Sequence, residues 1–375
     1  MAVAAALVHD IGHGPFSHAF EHALDAAGLS REHETRTDDL IKKTELSRVF
    51  EDGFGPDFAD QVSKIILSKS PADIYASIVS SQFDADRLDY MRRDRYMTGT
   101  QQSAIDYEWL LQNLEVRRVN IGVDEEQTKQ VDTLVLNQKA HIAAEGYALS
   151  LFYLYINVYF HKTTRGFEKI FTALMERVAR LVLDNSTIQT GLAENHPLVV
   201  YLRNPDDIEA FLRLDDTVIY GALSQFETAT DVAVRELGVR IRDRLAYRCF
   251  DVSKYMAARF EKPDSPDPAE RAEARRQAQI RVARATELVK ERRITAMKEN
   301  EVPLVLADEQ AKRAAYKQEG KLSLIYLLGP DERLHDFRNV SPVVEALGEF
   351  RAYRLYARDA AGAALIESVL EEAAK

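Results

Sequence analysis

The chain has 375 residues, with 60 Asp and Glu against 49 Lys and Arg, a formal charge of −11 at pH 7 that argues against a general nucleic-acid coat, which needs a basic face. Apolar residues make up 46% and charged residues 29%, which excludes wholesale disorder and leaves room for more than one domain. The lone Cys249 rules out an internal disulfide and a cysteine zinc cluster, a composition suited to a reducing compartment, the cytoplasm.

The first residues, MAVAAALV, are apolar but lack the basic region of a signal peptide, and no stretch reaches the roughly 18 to 20 apolar residues of a membrane-spanning helix. They read as the back half of a buried helix. Apolar residues at three- and four-residue spacing predict helices over 15–28, 36–50 and 84–97. LEVRRVNIGV (Leu114 to Val123) and VDTLVL (Val131 to Leu136) are β-branched and separated by polar DEEQTKQ, which predicts a hairpin near 114–136. Helices are expected again over 138–165 and 166–184. Three prolines between Pro263 and Pro268 mark a linker and start a charged helix over 268–298, whose alternating signs between Arg271 and Arg293 suit a solvated face. LSLIYLL (Leu322 to Leu328) and FRAYRLYA (Phe350 to Ala357) read as strands, and ALIESVLEEAA as a closing helix. The expected fold class is mainly α: a helical bundle over 1–262 with a small inserted hairpin, then a small α+β C-terminal unit over 263–375.

Chemistry concentrates first in VHDIGHGPFSHAFEHAL, where four of the nine histidines fall within fourteen positions. A helix ending at His9 and Asp10 projects an imidazole and a carboxylate into one cavity, ligand types suited to Mn, Fe, Zn or Mg. His13 follows in a Gly-His-Gly-Pro turn that sacrifices helix propensity to place polar groups. Ser17 stands where a helix cap is expected. His18, Glu21 and His22 then share one helical face, and a histidine beside a carboxylate is a tuned general acid.

The second cluster, FDADRLDYMRRDRYMTG, repeats Asp86, Tyr90 and Asp94 every four residues, with Arg87 on the neighbouring edge. Such a charged run is most often a solvated helix face; a tyrosine between two acids also suits a sugar, with Asp86 on a metal and Arg87 on phosphate. The third, YALSLFYLYINVYFHKTTRGFEKI, carries Tyr147, Tyr153, Tyr155 and Tyr159 before His161, Lys162 and Arg165. An aromatic stripe is usually core, yet the Tyr155 and Tyr159 pair one turn before basic residues also suits a base or sugar beside phosphates. Arg87, Arg92, Arg93, Lys162 and Arg165 supply local positive charge within the acidic chain.

HDIGHGPFSH with FDADRLDYMRRD and VYFHKTTR downstream resembles the HD-domain phosphohydrolases, and within them the dNTP triphosphohydrolases, over nearly the whole chain. The resemblance implies a divalent metal on His9, Asp10 and Asp86, and a catalytic group of His18, Glu21 and His33, with His18 protonating the leaving sugar oxygen. It places His13 near the α-phosphate, Arg87, Tyr90 and Asp94 along phosphate, sugar and 3′-hydroxyl, and Tyr159 beside sugar and base. Tyr155 stands where relatives carry a histidine, and Lys162 where relatives use a lysine at an allosteric nucleotide site. It further implies a dNTP substrate, a dNTP or GTP effector, and a homo-oligomer, dimer or tetramer; the sequence itself indicates no membrane span and no nucleic-acid partner. The family's metal site also takes an earlier histidine from an Arg-x-x-His-Ser segment, absent here, so the chain reads as N-terminally truncated. The HD ligands are common to hydrolases of other nucleotides and phosphomonoesters, and the absent ligand also fits a silent nucleotide-binding regulator.

Overall fold

The computed structural model describes residues 1–29, 31–68, 71–122, 128–296, 301–314, 316 and 320–375. Helix makes up more than half of the described residues, well above the usual share, so the mainly α class holds. Two compact units interleave along the sequence: Met1–His13, Glu32–Tyr159 and Arg313–Phe350 form one, and Gly14–Arg31, Phe160–Lys312 and Arg351–Lys375 the other. The division read from the prolines at 262/263 falls inside the second unit.

In the first unit, short helices Ala2–Val8, His33–Lys43, Glu45–Phe54, Phe58–Ile66 and Ile74–Val79 pack around Ala5, Ile41, Phe50, Val62 and Val79. The helix predicted over 36–50 is broken at Thr44, whose extended backbone (φ −113°, ψ −177°) ends one helix and starts the next. Its hydroxyl donates to the Leu40 carbonyl at 2.6 Å and accepts from the Leu46 amide at 3.3 Å, serving both ends. A second core joins Met91 on helix Ala85–Thr98 and Tyr147 and Leu154 on helix His141–Leu154 to Leu110 and Phe337. Each such buried aliphatic side chain stabilises the fold by about 1.5–3 kcal/mol.

The hairpin forms from β1 (Leu114–Gly122) and β2 (Thr128–Leu136), antiparallel with Leu114 opposite Leu136 and Val119 opposite Val131. Val123, part of the predicted first strand, lies outside the described residues. In the second unit, β3 (Arg248–Asp251) pairs antiparallel with β7 (Glu349–Ala357), and β4 (Val305–Ala314) lies on the other side of β7. The first unit's sheet is completed by β5 (Tyr326–Leu328), parallel to β2, and β6 (Leu334–Asp336), antiparallel to β5. The strands expected near the C-terminus therefore enter two different sheets, because their partners come from earlier in the chain. Of the predicted strand 322–328 only Tyr326–Leu328 pairs; Lys321–Ser323 is a 3₁₀ turn.

The helix predicted over 138–165 is divided. Helix His141–Leu154 runs into a π-turn at Tyr155–Tyr159. His161, extended at ψ 132°, then caps a new helix, Lys162–Leu183, whose buried Ile170, Leu174, Val178 and Leu181 form one apolar stripe in the second unit. Helix Pro268–Glu291 stops short of the predicted 298, and residues 297 and 298 lie outside the described ones. It joins the closing helix Ala360–Ala373 in a core containing Leu288, Val305, Leu355 and Ile366.

Candidate functional site

Helix Ala2–Val8 ends at His9, whose backbone is still helical (φ −59°, ψ −31°), so His9 and Asp10 project from its last turn. His9 Nδ1 lies 2.9 Å from the Ala6 carbonyl oxygen, which can only accept. The proton of the neutral ring therefore sits on Nδ1, and the Nε2 lone pair faces Asp10 Oδ2 at 3.3 Å and Asp86 Oδ1 at 3.9 Å. One ligand atom from each of the three lies within 4.8 Å of the others. Burial pushes the Asp86 carboxyl above its ordinary range; His9 opposes this, while Asp84 and Asp10 add to it. One imidazole nitrogen among crowded carboxylates is a donor set and a charge deficit that a divalent cation satisfies.

The turn after Asp10 is held from beneath. The Gly12 amide donates to Thr37 Oγ1 at 3.0 Å, the Thr37 hydroxyl donates to the His9 carbonyl at 3.0 Å, and buried Arg36 donates to the Gly12 carbonyl at 3.3 Å. A Cβ on Gly12 would lie 2.2 Å from the His33 carbonyl oxygen and 2.6 Å from the Thr37 nitrogen, so only glycine fits. This close approach brings His13 and His33 into a stack with ring centroids 3.9 Å apart. His13 Nε2 is 3.8 Å from Asp10 Oδ1, and His33 Nδ1 is 3.4 Å from Glu34 Oε2.

Helix Ala85–Thr98 starts at Asp84, which accepts from the Arg87 amide at 2.7 Å and from Arg87 Nε at 3.2 Å. Asp86, Tyr90 and Asp94 follow on one stripe. The Tyr159 hydroxyl donates to Asp94 Oδ2 at 2.5 Å, and its ring meets Tyr90 and Tyr155 edge-on at centroid distances of 6.1 and 5.0 Å. Burial first, and then the Asp94 bond, hold the Tyr159 hydroxyl above its usual range; burial and neighbouring Tyr155 do the same to Tyr90. The π-turn carries both Tyr155 and Tyr159. The Arg313 guanidinium carbon lies 4.2 Å from the centre of the Tyr155 ring.

His18 and Glu21 belong to the second unit, where His18 Nδ1 lies 3.1 Å from Glu21 Oε2 on helix His18–Ala26. Burial, then Lys169, lowers the pKa of their neighbour His22. Ser17 holds the cap position but makes no capping hydrogen bond, since its φ of 51° turns it away from that geometry. Lys162 is exposed at the start of its helix. Three members of the expected local basic group are engaged by neighbours. Arg165 is bound by Asp308, with Nε–Oδ2 3.0 Å and Nη2–Oδ1 2.7 Å, Arg93 pairs with Asp89, and Arg92 covers Tyr107. Buried Tyr147 donates to the Gln82 carbonyl and serves the core.

Sequence reading missed Arg36, Thr37, Asp84 and Arg313. Asp84 was findable, as an Asp just before a helix is a start signal; the others act across long sequence separations and leave no local trace.

Residues 1–94 match the HD domain family. YwfO of Bacillus subtilis is 31% identical over 267 residues, covering 70% of this chain and 56% of that protein. The deoxynucleoside triphosphate triphosphohydrolase SAMHD1 homologue of Dictyostelium discoideum is 34% identical over 118 residues, 29% of this chain and 22% of that protein. This chain thus spans about half the length of YwfO and less of the Dictyostelium protein. A crystal structure of a phosphohydrolase from Bacteroides thetaiotaomicron superposes with a TM-score of 0.65 at 21% identity, covering 96% of this chain and 79% of that one. A hypothetical protein from Aquifex aeolicus gives 0.62 at 24%, covering 99% and 79%. These two likenesses show the fold. The match to the HD domain family thus covers the first quarter of the chain, residues 1–94.

Proposed function

We propose that the protein is a metal-dependent phosphohydrolase that cleaves deoxynucleoside triphosphates to deoxynucleoside and triphosphate. The observation that carries the reading is the continuity of one stripe, from His9, Asp10 and Asp86 through Arg87 to Tyr90, Asp94 and Tyr159. Eight residues separate Asp86 from Asp94, a rise of about 12 Å, which leaves room for phosphate at one end and sugar at the other. His9, Asp10 and Asp86 would hold the metal, whose chemistry there is Lewis acidity toward a phosphoryl oxygen and activation of water. Arg87 gives its Nε–H to Asp84, which fixes the guanidinium and keeps the remaining N–H groups for phosphate oxygens. Tyr90 and Tyr159 wall the sugar. Asp94 takes the Tyr159 hydroxyl on one oxygen and offers the other to a sugar hydroxyl.

The resemblance assigns protonation of the leaving 5′-oxygen to His18, with Glu21 and His33 as its partners and His13 at the α-phosphate. The His18–Glu21 pairing on one helix supports that role, since a carboxylate orients and charges an imidazole. The likeness of a 118-residue segment to the Dictyostelium enzyme supports the dNTP substrate. We place the protein in the cytoplasm on its cysteine usage, and no helix among the described residues is long and apolar enough to cross a membrane. An oligomer with dNTP or GTP effectors, and Lys162 among their ligands, rests on the resemblance.

The test is product analysis with Mn²⁺ and dGTP, alongside ribonucleotides, a cyclic nucleotide and a phosphomonoester. Triphosphate and deoxyguanosine are expected, with metal content and turnover both lost in Asp86→Asn and turnover alone lost in His18→Ala. Release of orthophosphate or pyrophosphate would overturn the reaction, and a rate unchanged in His18→Ala would overturn the assignment of the acid.

A further inference from the structure

The second unit holds a cavity of about 790 Å³, within the range of roughly 300–1,000 Å³ typical of small-molecule sites. Eight of its fourteen lining residues are aromatic or aliphatic, so a ligand that fills it has an apolar body. Phe16 sets the wall, with its ring 4.8 Å from Phe171 and 5.3 Å from Tyr220 between centroids. Its position is built at a conformational cost. Phe16 and Ser17 have φ of 58° and 51°, and Arg244 has 56°. Three of the seven non-glycine residues with positive φ among the described residues thus line this one cavity. The Phe16 amide is held by Asp216 Oδ1 at 2.9 Å. Such backbone persists where its surroundings enforce it, and it gathers at ligand sites.

The charges at the cavity select the head group. Arg242 is answered by Asp243, with Nε–Oδ1 2.8 Å, and by Glu227; Glu168 is answered by Arg165. Arg244 is exposed, and its guanidinium has no partner among the described residues. One uncompensated cation beside an apolar cavity matches a single negative charge. A nucleoside polyphosphate needs several.

We infer that this cavity binds a monoanionic amphiphile, an acyl carboxylate whose chain lies among Phe16, Phe167, Phe171 and Tyr220 and whose head group pairs with Arg244. None of the lining residues is a proposed metal ligand or the proposed acid, although Ser17 and Ala19 flank His18 in sequence.

Calorimetric titration of the full chain with dodecanoate and dodecanol, both below their aggregation limits, tests this. Saturable dodecanoate binding is expected, at least ten-fold tighter than dodecanol. Arg244→Gln should abolish that ten-fold preference, and Arg244→Gly, which also relaxes the positive φ, should do the same in a chain no less stable to heat. Leu223→Trp, filling the cavity, should weaken both ligands. The inference is overturned if dodecanoate does not saturate, if the two ligands bind equally, if the preference survives both Arg244 variants, or if dGTP displaces dodecanoate.

Discussion

Replacing Thr37 by valine keeps the shape of the side chain and removes one hydroxyl, which makes it the sharpest probe of how the HD turn is held. That hydroxyl sits on a fully buried residue, accepts from the Gly12 amide and donates to the His9 carbonyl, both at 3.0 Å. Valine leaves a buried N–H and a half-buried C=O without partners, each worth about 1–3 kcal/mol when unsatisfied. Water reaches the His9 side more easily, so the sum expected is about 2–3 kcal/mol. Thr37→Ser keeps both hydrogen bonds and loses a buried methyl, about 1 kcal/mol. In urea, monitored by circular dichroism, valine should lower the midpoint by about 1 M at a slope near 3 kcal/mol/M, and serine by about a third of that. Because the same hydroxyl anchors the residue that carries the His9 ring, Mn²⁺ retained after gel filtration should fall in the valine variant and persist in the serine one. If valine and serine agree within about 0.5 kcal/mol, or valine retains full metal, the turn is held by something other than Thr37.

Gly12→Ala puts a methyl into the His33 carbonyl, backbone against backbone, so the turn must shift; metal content should drop while overall helicity by circular dichroism stays near wild type. Asp38 offers a pH test. Although burial opposes it, hydrogen bonds from Lys42 and Ser63 hold its carboxyl below the ordinary 3.8. A depressed folded-state value contributes stability above the unfolded value and loses it as pH falls through the folded one. Asp38→Asn should therefore cost about 0.5–1 kcal/mol in urea melts at pH 7. That deficit should shrink below pH 3.8, and a pH-independent difference would contradict the assignment.

Much of the fold was legible because its signals are local. The break before Pro268, the hairpin and the stripe on Ala85–Thr98 depend on residue types a few positions apart, and they stand close to where the sequence put them. Failures came where long helices were read without breaks. Thr44 satisfies both of the helix ends it joins and His161 the start of one, each with its own side chain, and neither is a glycine or proline that would punctuate the pattern.

The sequence by itself determined the chemistry of the candidate site. Ligand types at His9 and Asp10, and the four-residue repeat of Asp86, Tyr90 and Asp94, follow from helix geometry alone. Tertiary structure decided which of those residues act together. It set Asp86 3.9 Å from His9 across 77 positions of chain, and closed Tyr159 on Asp94 across 65. It also spent Arg165 on buried Asp308, 143 residues away, removing a cation that had read as available for phosphate. The reason is physical: periodicity sets which face of an element a side chain occupies, whereas the partner opposite that face is chosen by packing between segments distant in sequence, and nothing in either segment alone records it.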